Sequence, residues 1–67
     1  MSPTPKQIGT TLKRRREAKG LSQEALAKRA GVSREYVNKL EAGHHDPTVG
    51  TLTSIAKALG VPVTELL

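Results

Sequence analysis

The sequence predicts an all-α fold, a compact bundle of five short helices, and three observations carry that expectation. Apolar residues recur at spacings of three and four, as in Leu52, Ile55, Ala56 and Leu59, which is the period of a helix with one buried face. A hydroxyl residue heads each periodic segment, at Thr4, Ser22, Ser33 and Thr48, where its oxygen can accept a free backbone N–H. Glycine follows each segment, at Gly20, Gly31, Gly43 and Gly60, where left-handed backbone ends a helix at least cost. At 67 residues the chain makes a single domain with a modest core.

Thr4-Pro5-Lys6-Gln7 reads as a capping box, with Pro5 at the first helical position and Gln7 reaching back to Thr4. Helix one is expected from about Pro5 to Lys19, and Gly20 ends it. Its apolar face is thin, Ile8 and Leu12 followed by Arg15, Arg16 and Lys19. Arg16 lies one turn beyond Leu12 on the inward side, where a lone guanidinium would be costly, so it needs an acidic partner. The run Lys13-Arg14-Arg15-Arg16 reads either as a solvated face or as a contact for nucleic acid or membrane.

Ser22 caps the second helix, and Leu21 before it can clasp Leu26 as a hydrophobic staple. The same arrangement repeats with Val32, Ser33 and Val37. Between the two, Gly31 follows Ala30 and forces a tight turn. Leu26, Ala27 and Ala30 share a face of the second helix, and Val37 and Leu40 share one of the third. Arg34, Glu35, Asn38, Lys39 and Ala42 gather on the arc opposite Val37 and Leu40, because residues four apart stack on one side.

His44-His45-Asp46-Pro47 has no apolar residue and reads as a surface loop. Thr48 then caps a helix that is mainly core. Gly50 near its start either loosens the first turn, by up to about 1 kcal/mol relative to Ala, or lets another backbone approach. Val61 to Leu67 is expected to form the fifth helix, with Pro62 near its beginning. Val61 and Leu66 stand in the staple relation and would close the core. That leaves Val63 and Leu67 either as self-contacts of a homodimer or as the last pieces of a thin core.

The net charge of +5 is uneven: residues 1–43 carry +6 and residues 44–67 carry −1. The positive field therefore belongs to the half that holds the capped helix pair, and it favours polyanions as partners. There is no cysteine, hence no disulfide or cysteine metal site. No apolar run approaches the roughly 20 residues that span a bilayer, and the first residues lack the apolar block of a signal peptide, so a cytoplasmic location is expected. A basic membrane-surface helix is disfavoured, since helix one offers only Ile8 and Leu12 and no aromatic anchor.

Two short helices joined by a tight Gly-containing turn form the helix-turn-helix arrangement, whose second helix enters the DNA major groove. Leu21, Ser22, Gln23, Leu26, Ala27, Gly31, Val32, Ser33, Val37, Leu40, Glu41 and Gly43 fall on the pattern of a known family. From about Ile8 to Leu67 the chain resembles the Cro/C1-type (XRE-like) helix-turn-helix regulators of bacteria and phages. The resemblance implies one lambda repressor-like DNA-binding domain over 1–67, with its motif at about 21–43. It implies that Arg16 pairs with Glu41, ahead of the glycine that ends the recognition helix, and that Gln23, with Ser22 beside it, contacts backbone phosphate. The base-reading positions map onto Ser33, Arg34, Glu35, Asn38 and Lys39 of helix 33–42, and the loop with His44 and His45 meets the sugar-phosphate backbone.

Residue chemistry agrees with those assignments to different degrees. A helix N-terminus attracts anions, so Gln23 and Ser22 suit a phosphate. Arg34 can donate two parallel bonds to guanine, a contact worth roughly 1–3 kcal/mol against the wrong base. Lys39 can do the same or hold a phosphate. Glu35 either accepts from a cytosine amino group or forms a helical ion pair with Lys39, four residues on. Asn38 suits adenine, sugar or phosphate. Tyr36 reads as half-buried packing with its hydroxyl on solvent or phosphate.

The function expected is that of a sequence-specific, double-stranded DNA-binding transcriptional regulator. It would be a repressor or autoregulatory switch, acting as a homodimer on an inverted-repeat operator. The alternative is an antitoxin-like protein-interaction module whose DNA binding is secondary. No nucleophile and base are spaced for catalysis, and two adjacent histidines with one aspartate are far from a metal site. No enzyme activity, metal, cofactor or small-molecule ligand is expected.

Overall fold

The N-terminal hydroxyls do start helices in the computed structural model, which describes residues 3–67. Thr4 Oγ1 accepts the Gln7 N–H at 3.1 Å while Gln7 Oε1 accepts the Thr4 N–H at 2.8 Å, the reciprocal box. Ser22, Ser33 and Thr48 accept the backbone N–H of Ala25, Tyr36 and Thr51 at 3.0, 3.0 and 3.1 Å. The helices so begun are α1 (Pro5–Ala18), α2 (Gln23–Ala30), α3 (Arg34–Glu41) and α4 (Val49–Leu59).

Gly31 takes a φ of 73°, a conformation that would strain any residue with a Cβ. It turns the chain so that the Val32 N–H closes back on the Ala27 carbonyl at 3.0 Å. The other α-helices end on the same six-residue closure, made by Leu21, His44 and Val61. The closures at Leu21 and Val32 deliver an apolar residue to the point where the next helix starts. Leu21 and Val32 thereby pack against the core just ahead of α2 and α3.

The expected fifth α-helix does not form. Residues Val63–Leu66 make a single 3-10 turn instead, so the fold is four α-helices and one 3-10 turn among the described residues. Pro62 stands at the cap position and offers no side-chain hydrogen bond, and the segment is too short to recover the cost of nucleating an α-helix. Packing holds it all the same. Leu66 is fully buried, and Val61 and Val63 lie partly buried against the core. No helix among the described residues is long and apolar enough to cross a membrane.

The core draws Ile8 and Leu12 from α1, Leu26 and Ala27 from α2, Val37 and Leu40 from α3, and Leu52, Ile55, Ala56 and Leu59 from α4. Gly50 is exposed, with only the Thr48 hydroxyl at 3.8 Å from where its Cβ would be, so no backbone approaches it. The close approach is elsewhere, at Gly9, which the sequence reading passed over. A Cβ on Gly9 would sit 2.9 Å from the Glu41 carbonyl oxygen and would overlap that of Leu40. From the other side, a Cβ on Gly43 would sit 2.9 Å from Lys6 Cα. The middle of α1 and the end of α3 therefore touch backbone to backbone.

Candidate nucleic-acid interface

The roll of α3 about its own axis decides what it presents. Val37 and Leu40 are 0% and 2% exposed, anchoring one side in the core, and the period of 3.6 sends the remaining side chains outward. Arg34, Glu35, Asn38 and Lys39 are all exposed, as is Ser33 at the cap. Ser33 Oγ is engaged by the Tyr36 N–H, yet its own proton remains free to donate. Of the two expectations for Glu35, the ion pair with Lys39 is absent. The ion pairs among the described residues are Arg15–Glu65, Arg16–Glu41 and Lys28–Glu24. Glu35 and Lys39 both point free side chains outward.

Tyr36 is half-buried against the core, as expected, and its ring lies 5.5 Å from that of His45 at a 40° tilt. This contact gives the following loop a fixed neighbour on the helix. His44 and His45 are both exposed, and the His44 N–H is spent on the closure to Lys39 at 3.0 Å. The loop with its imidazoles thus starts directly at the end of α3. Ser22 stays exposed at the head of α2, and Gln23 beside it is half-buried.

Behind α3 lies a buried polar cluster. Arg16 donates from Nε to Glu41 Oε2 at 2.6 Å, from Nη2 to Glu41 Oε1 at 3.0 Å, and from Nη1 to the Leu21 carbonyl at 2.7 Å. The Arg16 side chain is 10% exposed and the Glu41 side chain 3%. Hydrogen bonding to Glu41 holds the guanidinium proton more tightly than usual, outweighing the opposite effect of burial. The expected pairing of Arg16 with Glu41 is present and bidentate. One member was not foreseen: Gln23 Nε2 donates to Glu41 Oε1 at 3.0 Å. Nothing local in the sequence announces it, since the two residues stand 18 apart and meet only once α2 and α3 are packed.

Comparison with known proteins bears on the same surface. The family model described as Helix-turn-helix (HTH_3) matches residues 12–66. The chain belongs to this family, of Cro/C1 (XRE-like) type. It is 45% identical over 62 residues to an uncharacterized HTH-type transcriptional regulator, y4dJ, of Sinorhizobium fredii, covering 92% of this chain and 80% of that one. It is 33% identical over 60 residues to the immunity repressor protein of Bacillus phage phi105, covering 90% of this chain but 42% of the repressor. It likewise spans only 34% of the Escherichia coli regulator SutR. Among solved structures, the restriction-modification controller protein C.AhdI of Aeromonas hydrophila superposes with a TM-score of 0.92 at 36% identity, over 94% of this chain and 96% of that one. Members of this helix-turn-helix family are DNA-binding transcriptional regulators, and this chain is one of them.

Proposed function

We propose that this protein is a repressor or autoregulatory switch that binds an inverted-repeat operator as a homodimer, each protomer laying α3 in a major groove. One observation carries the reading. Val37 and Leu40 lock α3 into the core, and Arg34, Glu35, Asn38 and Lys39 all face solvent on the opposite arc. Such a helix is held rigidly and displays side chains of the types that hydrogen-bond base edges. Arg34 is assigned to guanine, Asn38 to adenine or the adjoining sugar-phosphate, and Lys39 to a base or phosphate. Glu35, which forms no ion pair among the described residues, is assigned to a cytosine amino group.

Phosphate contacts come from α3 and from either side of it. Ser22 and Gln23 at the head of α2, Tyr36 on α3 itself and the His44–His45 loop after it present polar groups. Such contacts fix register without reading sequence. Homodimerisation follows from recognition geometry, because one short helix reads too few base pairs. A two-fold pair places its helices about 34 Å apart on successive major grooves. Leu67, 60% exposed beside buried Leu66, is the apolar side chain assigned to the self-contact, together with Val63, which is partly buried against the core. Selection of bound sequences from random duplex DNA tests the reading. An inverted repeat with half-site centres about one helical turn apart is the expected result, and recovery of no consensus would overturn it.

A further inference from the structure

The buried pair of Arg16 and Glu41 touches the DNA-binding apparatus through Gln23. Glu41 Oε1 accepts from Arg16 Nη2 and Gln23 Nε2, both at 3.0 Å, while Oε2 is held by Arg16 Nε. An ionised carboxylate only accepts, so it fixes the amide of Gln23 with nitrogen inward. One Nε2 hydrogen is consumed there. The second hydrogen and the amide oxygen stay with a half-buried side chain at the first position of α2. We propose that Glu41 is a positioning residue for DNA binding, its carboxylate immobilised by Arg16 so that it holds the Gln23 amide ready for a backbone phosphate.

The inference rests on the reading of Gln23 as a phosphate contact. A free glutamine would have to surrender its rotamer freedom on binding, whereas this one is ordered beforehand. The same carboxylate is carried on the last residue of α3. The phosphate contact at α2 and the recognition helix therefore share one buried anchor, and their relative placement is fixed before DNA arrives.

Two double variants separate positioning from mere stability. Arg16→Met with Glu41→Leu removes both charges and the acceptor for Gln23. Arg16→Met with Glu41→Gln removes both charges but keeps an acceptor. Affinities are measured by fluorescence anisotropy on the selected operator and on a random duplex, beside Gln23→Ala, with melts to show folding. Gln23→Ala should weaken binding to both duplexes alike, by about tenfold, the low end for a hydrogen bond to a charged group. The Met/Leu variant should lose the same factor and lose nothing more when Gln23→Ala is added, while the Met/Gln variant should recover most of it. Full affinity in a folded Met/Leu variant, with the loss by Gln23→Ala intact, overturns the positioning role alone. No loss on Gln23→Ala overturns the phosphate contact and the positioning role together. Should the variants not fold, NMR of the unaltered protein decides. One Gln23 side-chain amide proton should be hydrogen-bonded in the free protein and unchanged on adding duplex, while the other shifts. Two freely averaged protons overturn the proposal.

Discussion

Removing one member of the Arg16–Glu41 pair should damage the fold more than removing both, and the two single losses should differ in their response to pH. Glu41→Leu leaves a guanidinium in a site where the Arg16 residue is 8% exposed, with the Leu21 carbonyl as its remaining partner. A guanidinium does not shed its proton to escape. Breaking a buried pair from one side costs about 3–5 kcal/mol, comparable to the whole stability of about 3–10 kcal/mol for a domain of this size. Arg16→Met leaves a carboxylate at the C-terminal end of α3, where the helix dipole is unfavourable to it, with the Gln23 amide as its remaining partner. A stranded carboxyl has a way out, because it can take up a proton. For an ordinary glutamate that costs about 3.7 kcal/mol at pH 7 and about 1 kcal/mol at pH 5. The folded Arg16→Met variant then binds a proton more readily than its unfolded chain, so its stability rises as pH falls. Its deficit should shrink by up to about 2.7 kcal/mol between pH 7 and pH 5, while that of Glu41→Leu should not shrink this way. The apolar double replacement should be nearly neutral. Urea melts of the three variants at both pH values test this against the unaltered protein. Additive losses, or a deficit for Arg16→Met that does not shrink, would refute the reasoning.

Gly9→Ala should destabilise by roughly 1–3 kcal/mol, as overpacking does, although alanine is the better helix former; a raised melting temperature would show that α1 and α3 do not meet at their backbones. Arg34→Ala should cost roughly 1–3 kcal/mol on the operator and relax preference at one base pair per half-site, as read by repeating the selection with the variant. Equal losses on operator and random duplex would remove Arg34 from base reading. Affinity should fall steeply with salt, with a logarithmic slope of about −0.9 per phosphate contact; a flat response in anisotropy titrations would exclude the phosphate contacts. Leu67→Asp should leave the monomer folded and weaken self-association, with Val63→Asp a harsher probe because Val63 packs partly against the core. Sedimentation that finds the unaltered protein monomeric even on its operator would rule out this interface.

The sequence by itself determined where each α-helix starts and stops. Caps at Thr4, Ser22, Ser33 and Thr48 and left-handed glycines such as Gly31 act within a few residues of the backbone groups they satisfy, so their chemistry is legible without the fold. The same holds for the outward arc of α3, because one buried stripe of Val37 and Leu40 leaves Arg34, Glu35, Asn38 and Lys39 nowhere else to point. The C-terminal segment misled for a related reason. Val61, Val63 and Leu66 have the apolar content of a helix, yet with Pro62 at the cap and so few residues only a 3-10 turn closes. Only the tertiary structure decided what lies between elements. Gly9 looks like a weak point in α1 until α3 is laid against it and the carbonyls of Leu40 and Glu41 occupy the space of a side chain. Gln23 looks like a free donor until α2 and α3 close on each other and Glu41 takes one of its hydrogens. Contacts of this kind join residues far apart in the chain, and they arise from the angle at which helices cross, which no local run of side chains encodes.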